Sequence, residues 1–369
     1  MKRQTCAAIA LAAPIGLMFS PVLAQDTGLG SSNRGSAEAP ELTRGVSPVT
    51  LPAEIEPRTL PAIDTDEVID FVDTFTREVL SEEEMRIRFG TVRLNRDGSV
   101  TTDPAADAMF EATPRAILPF TPGEEMGDQE QAAASDIVPR STTPTTARRV
   151  TDGTAWAFRA VGLLAMFDDE GDFQGHCSGA LIGPSTVLTA AHCFYDHETG
   201  WVGDVVFVPG LTDLENQGPP YGVFGWEDLI IHRGYVEAYD GTVISTVAYD
   251  IAVMQLEQPV GQHLGYLPVN WVGPEFPGYN SNLLGYPGDM PFGTMWLMNC
   301  PIEFEGMPPK FSVRECTTAG GTSGGPMYIY LSDRDERIIL GINVAGNDEV
   351  SIALTIDEEH FRWLSSNWK

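Results

Sequence analysis

Past Val150 the chain breaks into apolar runs of three to eight residues, each closed by a turn signal, and this spacing constrains the fold more than any other feature. The runs Ala160–Phe167, Ser178–Ile182, Thr186–Thr189, Val205–Val208, Leu229–Ile231 and Ile251–Leu256 are predicted as strands. So are Asn282–Leu284, Thr294–Met298, Met327–Tyr330, Ile338–Asn343 and Ser351–Leu354. Asp169-Glu170-Gly171 and Tyr286-Pro287-Gly288 are typical of the turns between them. Short strands without intervening amphipathic helices predict an all-β sandwich or barrel. Only the tail departs from this. From Asp357 to Trp368 a helix is expected, capped by Asp357, with Phe361, Leu364 and Trp368 facing the body.

The first 150 residues read differently. Lys2 and Arg3, the apolar run Ala7 to Met18 and the small-residue end Val22-Leu23-Ala24 make residues 1–24 a predicted secretory signal, too short and Pro-interrupted to serve as a membrane anchor. A secreted or periplasmic protein is expected. Residues 25–140 are rich in Pro, Gly and acids and are expected to be a prosegment, its boundary falling between 136 and 149, with an accessory domain or disordered arm as the alternative. Within it a helix is predicted over Asp64–Leu80, where Val68, Ile69, Val72, Phe75 and Val79 share a face. The alternation of Ile87, Phe89, Val92 and Leu94 toward Asn95-Arg96-Asp97-Gly98 suggests a hairpin. The net charge of −30 would repel nucleic acid and anionic membranes, so neither is expected as a partner.

Loss of the signal would remove Cys6 and leave Cys177, Cys193, Cys300 and Cys316, an even number that suggests two disulfides in an exported chain. Three connectivities are open, of which the sequential one closes two loops of similar size.

The chemistry concentrates in three places. Ser323 stands in Thr318-Ala319-Gly320-Gly321-Thr322-Ser323-Gly324-Gly325-Pro326. A serine hydroxyl needs a base to become a nucleophile, and the anion it creates needs donors. The small neighbours leave room for the N–H groups of Gly321 and Ser323 to point at one oxyanion. His192, in Thr189-Ala190-Ala191-His192-Cys193, lies at a strand end between small residues, and tethering Cys193 to Cys177 would fix its loop. Asp250 opens the apolar strand Ile251–Leu256, where a buried carboxylate can hold an imidazole in one tautomer. Singly each is ordinary; in the order His, Asp, Ser on an all-β pattern they suggest one catalytic constellation.

Together TAAHC (Thr189–Cys193), DIAV (Asp250–Val253) and GTSGGP (Gly321–Pro326) resemble the chymotrypsin-like serine peptidases. IGPSTVLTAAHCFYD (Ile182–Asp196), GYPGD (Gly285–Asp289) and CTTAGGTSGGP (Cys316–Pro326) are similar to the bacterial glutamyl endopeptidase branch. The resemblance implies two six-stranded antiparallel β-barrels over 141–369, with a C-terminal helix and a small prosegment ahead. It implies His192 as general base, Asp250 as its orienting partner, Ser323 as nucleophile, and the amides of Gly321 and Ser323 as oxyanion hole. Protein or peptide substrates, a monomer, no metal or organic cofactor, and a contact with the chain's own prosegment go with it. Thr322 stands where the digestive branch carries an aspartate, so an activation switch at Arg149-Val150 is not expected; a cut near Arg140-Ser141 suits the bacterial branch better. Thr318 matches a substrate-binding threonine of the glutamate-selective branch, but Asn343 replaces its histidine and brings no positive charge.

Other readings compete. Gly321-x-Ser323-x-Gly325 also fits the nucleophile elbow of α/β-hydrolases, but the preceding region lacks strand–helix alternation. A metal site from His176-Cys177 and His192-Cys193 is disfavoured, because adjacent strand residues point to opposite faces. A catalytically inactive binding protein on the same fold is the alternative of another class. His176, His197, His232, His263 and His360 are read as structural or exposed.

Overall fold

The computed structural model describes residues 90–103, 134–139, 146–273, 278–303, 311–314, 318–331, 336–346 and 351–369. The signal segment, the helix expected over Asp64–Leu80, the Arg140-Ser141 bond and Cys316 lie outside them. With strands numbered in chain order, one sheet runs β10 (Asp204–Pro209), β5 (Val161–Phe167), β6 (Phe173–Leu181), β7 (Thr186–Thr189), β12 (Ala252–Leu256), β11 (Trp226–His232), β1 (Thr91–Asn95), β2 (Val100–Asp103). The other runs β15 (Phe311–Arg314), β18 (Ser351–Thr355), β17 (Glu336–Gly346), β16 (Pro326–Leu331), β13 (Gly278–Gly285), β14 (Trp296–Glu303), β4 (Thr146–Val150), β3 (Ala134–Pro139). Neighbours are antiparallel throughout both sheets. A small ribbon pairs β8 (Tyr195–Asp196) with β9 (Gly200–Trp201).

Apolar content explains the strands. β5 reads Val-Gly-Leu-Leu-Ala-Met-Phe and is buried at every position, as is β12, so both are continuous runs rather than alternating ones. Each sheet curls back on itself. In the first, an antiparallel bridge between Phe207 and Phe224 joins β10 to the chain entering β11. In the second, β14 and β15 lie against each other. Set aside the strands before residue 151, and six remain in each sheet, the architecture that the motifs led one to expect.

All the runs named above form strands, with bounds shifted at the ends. β3, β4 and β15 had no apolar run to announce them; β4 holds because its backbone pairs with β14, Ala147 opposite Met298 and Arg149 opposite Trp296. Two short helices, α1 (Arg233–Glu237) and α2 (Gly261–Leu264), lie in connections. The tail helix is α3 (Glu358–Ser366): Asp357 accepts the His360 N–H at its start, and Asn367 closes its end by donating to the Trp363 carbonyl at 2.8 Å. Phe361, Trp363 and Leu364 face the core. His360 Nε2–H donates to the Ala248 carbonyl at 2.8 Å, tying α3 to the turn that leads into Asp250.

The upstream hairpin forms too, with Gly98 at φ +82° in its turn. It does not stand apart. β1 pairs with β11 from Thr91 opposite His232 to Asn95 opposite Asp228, and Val92 and Leu94 enter the core of the first sheet.

Candidate active site

β7 delivers the chain to a single 3-10 turn, Ala191–Cys193, and the fully buried Ala190 and Ala191 let that turn press against its neighbours. A disulfide between Cys177 on β6 and Cys193 anchors it from behind. Cys300 is also disulfide-bonded, and Cys316 lies outside the described residues. Asp250 ends a second 3-10 turn immediately before β12 and is only 4 % exposed. Its Oδ2 lies 2.6 Å from His192 Nδ1, and its Oδ1 accepts the His192 backbone N–H at 3.0 Å. One carboxylate therefore fixes both the ring and the backbone that carries it. With the Nδ1 proton facing the acid, the lone pair of the neutral ring lies on Nε2.

Ser323 is carried on the loop before β16. Its carbonyl accepts the Ser178 N–H at 2.8 Å and lies 4.0 Å from Cys193 Sγ, next in sequence to His192. Gly324, at φ +74°, presses so closely on Thr189 Oγ1, the Ser178 carbonyl and the Ala190 nitrogen that a Cβ would overlap them. The serine loop thus lies against the end of β7. Within it the N–H groups of Thr322, Gly324 and Gly325 are bonded to the carbonyls of Ala319, Asn343 and Thr322. Those of Gly321 and Ser323 have no acceptor among the described residues.

Sequence reasoning missed what supports this loop. His176 is 2 % exposed, and its Nε2–H donates to the Tyr286 carbonyl at 2.8 Å, directly beneath Gly321. Burial pushes its pKa down to about 4, so the ring is neutral. Ser178 Oγ donates to the Gly321 carbonyl at 2.7 Å and accepts the Tyr286 N–H at 3.0 Å. A signal existed: His176 and Ser178, two apart on β6, share one face of the buried stretch Gly175–Leu181. The remaining histidines are structural or exposed, as read: His197 stacks on Tyr239, His232 on Tyr249, and His263 is exposed.

Thr318 and Asn343 are both buried. Thr318 Oγ1 is 2.7 Å from Ser351 Oγ, and Asn343 Nδ2 donates to Thr322 Oγ1 at 3.3 Å. The Thr322 hydroxyl in turn donates to the Ala319 carbonyl at 2.6 Å, so this residue shapes the loop by hydrogen bonding where an aspartate would bring charge. Arg149 and Val150 belong to a ladder strand; Val150 is fully buried and its N–H bonds to the Met295 carbonyl. As a metal site the cluster Cys177, His192 and Cys193 fails on donor chemistry, because both sulfurs are joined in a disulfide and offer no thiolate.

Comparison with known proteins sets this geometry in context. The Trypsin family profile matches residues 159–285. Glutamyl endopeptidase of Bacillus licheniformis is 30% identical over 188 residues, 50% of this chain and 54% of that protein. A Bacillus subtilis protein named extracellular metalloprotease is 27% identical over 215 residues, 58% of this chain and 64% of its own. The chain thus spans roughly half to two thirds of the length of these two relatives. A solved Glu endopeptidase in complex with MPD is similar at 20% identity and a TM-score of 0.49, covering 60% of this chain and 95% of that one.

Proposed function

We propose that this chain belongs with the chymotrypsin-like serine peptidases near their glutamyl endopeptidase branch and is an exported endopeptidase made as a precursor, a reading supported by the Trypsin profile and the glutamyl endopeptidase relative. In this reading Ser323 Oγ attacks the carbonyl carbon of a peptide bond while His192 Nε2 takes its proton. Asp250 holds the imidazole and stabilises its positive charge. The amides of Gly321 and Ser323 donate to the developing oxyanion. His192 then returns the proton to the leaving amine, and water, deprotonated by the same ring, releases the acid from Ser323. The step needs no metal, and neither the name of the Bacillus subtilis relative nor the cysteine–histidine cluster supplies a reason to invoke one.

The observation that carries this reading is the double hold of Asp250 on His192, through ring and backbone at 2.6 and 3.0 Å. A carboxylate taken this far out of water is costly unless both oxygens are engaged, and both oxygens of this one are spent on a single histidine. Thr318 and Asn343 are proposed to face the substrate side chain. They bring a hydroxyl and an amide but no cation, so a strict requirement for glutamate is not part of the proposal. Export and a monomeric state belong to the proposal as well, and removal of the N-terminal region is assigned to a cut near Arg140-Ser141.

The test is labelling with a serine-directed phosphonate, then digestion of a peptide library read by mass spectrometry. Labelling and cleavage that both vanish in Ser323→Ala are expected. A folded, processed wild type that neither labels nor cleaves would leave a binding protein on a peptidase scaffold. The library reports the preferred side chain, and sequencing the protein's own N-terminus reports the cut.

A further inference from the structure

Strand β11 has β12 on one edge, and β12 starts two residues after Asp250. Its other edge is covered by β1 alone, a strand from more than a hundred residues upstream. The cover is well fitted. Val92 and Leu94 on β1 are 8 % and 9 % exposed, while Val100 on β2, paired with Leu94, is 52 % exposed, so burial falls from the inner strand to the outer one. The Arg93 guanidinium reaches Asp228 on β11 at 2.7 Å, and both are largely shielded from water. The Arg233 N–H closes the far end of the ladder on the Gly90 carbonyl at 2.9 Å.

At the turn a second lock forms. Arg96 pairs with Asp204 on β10 at 2.9 Å and lies 4.8 Å over the ring of Trp226 on β11. Asp204 also accepts the Trp226 indole N–H at 2.7 Å. β10 and β11 are the two flanks of the curled sheet, so Arg96 bridges the seam along which it closes. Removing the hairpin would bare a row of unpaired backbone groups on β11, expose the Val92 and Leu94 contacts and open that seam.

We propose that hairpin β1–β2 is a working strand pair of the first barrel that stays bound by strand addition after the chain is cut downstream of it, so that the active molecule contains two chains. The partner for this surface is thus a segment of the same polypeptide, gripped by backbone pairing and two arginine–carboxylate contacts. The cut itself rests on the precursor reading proposed above, whereas the strand pairing is the same whether or not Ser323 reacts.

The test uses the full chain carrying Ser323→Ala, to prevent self-digestion, with a recognition sequence for a site-specific protease inserted between Asp103 and Ala134. After cleavage, the upstream fragment is expected to co-elute with the body in size exclusion and to appear as one mass in native, but two in denaturing, mass spectrometry. Leu94→Asp should release the fragment, and Val100→Asp should not. A fragment that leaves a still-folded body in the parent protein overturns the proposal, as does retention undiminished by Leu94→Asp. Hydrogen exchange on the uncut protein gives an independent reading: the β11 amides facing β1 should be protected like those of β12, and exchange as fast as in an exposed edge would likewise overturn it.

Discussion

The two barrels contribute to the site in opposite ways. In the first, function is held by atoms that are present: the Cys177–Cys193 bridge, the Asp250 carboxylate, the His192 ring. In the second, the serine loop owes its shape to atoms that are missing, since Gly321 and Gly324 adopt φ of +90° and +74° where a Cβ would strike the first barrel. The first barrel should therefore be sensitive to truncation and the second to addition. The contrast matters because loss and gain of one methyl group are usually judged on the same scale, whereas here the sign depends on the barrel.

The largest effect should come from truncating the acid. Asp250→Ala removes both bonds to His192 and is expected to lower kcat about ten-thousand-fold, measured on any substrate the library identifies. Preserved activity would break the contrast from the first side. Adding one carbon to the second barrel should be nearly as harmful: Gly324→Ala meets backbone on β6 and at Ala190 in a conformation unfavourable to alanine. A loss on the order of 4 kcal/mol, or failure to fold, is expected in denaturant titration. Opening the bridge by replacing Cys177 and Cys193 with serine should cost about 3 kcal/mol by the same method, for residues 16 apart in sequence.

A pH effect sharpens the boundary between the barrels, where His176 of the first underlies Gly321 of the second. Its folded pKa, about 4, lies below the unfolded value of 6.5. Stability from the neutral ring is thus complete above pH 6.5 and is lost as pH falls toward 4, because the unfolded chain binds the proton more readily. The loss by pH 4 should be about 3 kcal/mol. His176→Gln, lacking that proton site, should show a flatter dependence when unfolding is compared at pH 7 and pH 4.5.

These asymmetries also decide what the sequence could reveal. His192, Asp250 and Ser323 stood out as candidates because each lies in a distinctive local context: alanines before the histidine, an apolar strand after the acid, glycines around the serine. The strands from β5 onward were legible for a similar reason, since burial on both faces demands unbroken apolar runs. The support under the serine loop was not. His176 acts on Tyr286, 110 residues away, and Ser178 on Gly321, 143 away, and although both partners lie in recognisable motifs, no local pattern ties either pair together. β4 was hidden because Arg148 and Arg149 interrupt any apolar run, although pairing with β14 gives their backbone a place. The hairpin was read correctly as a hairpin, but its alternation says only that one face is buried, not against what.

The meeting of Arg96, Asp204 and Trp226 has a practical use. An indole that is 3 % exposed, roofed by a cation and bonded through its nitrogen should emit differently once the roof is lifted. Subtracting the fluorescence of a Trp226→Phe protein would isolate that emission, turning one residue at the seam into an optical gauge of whether the upstream ribbon is seated.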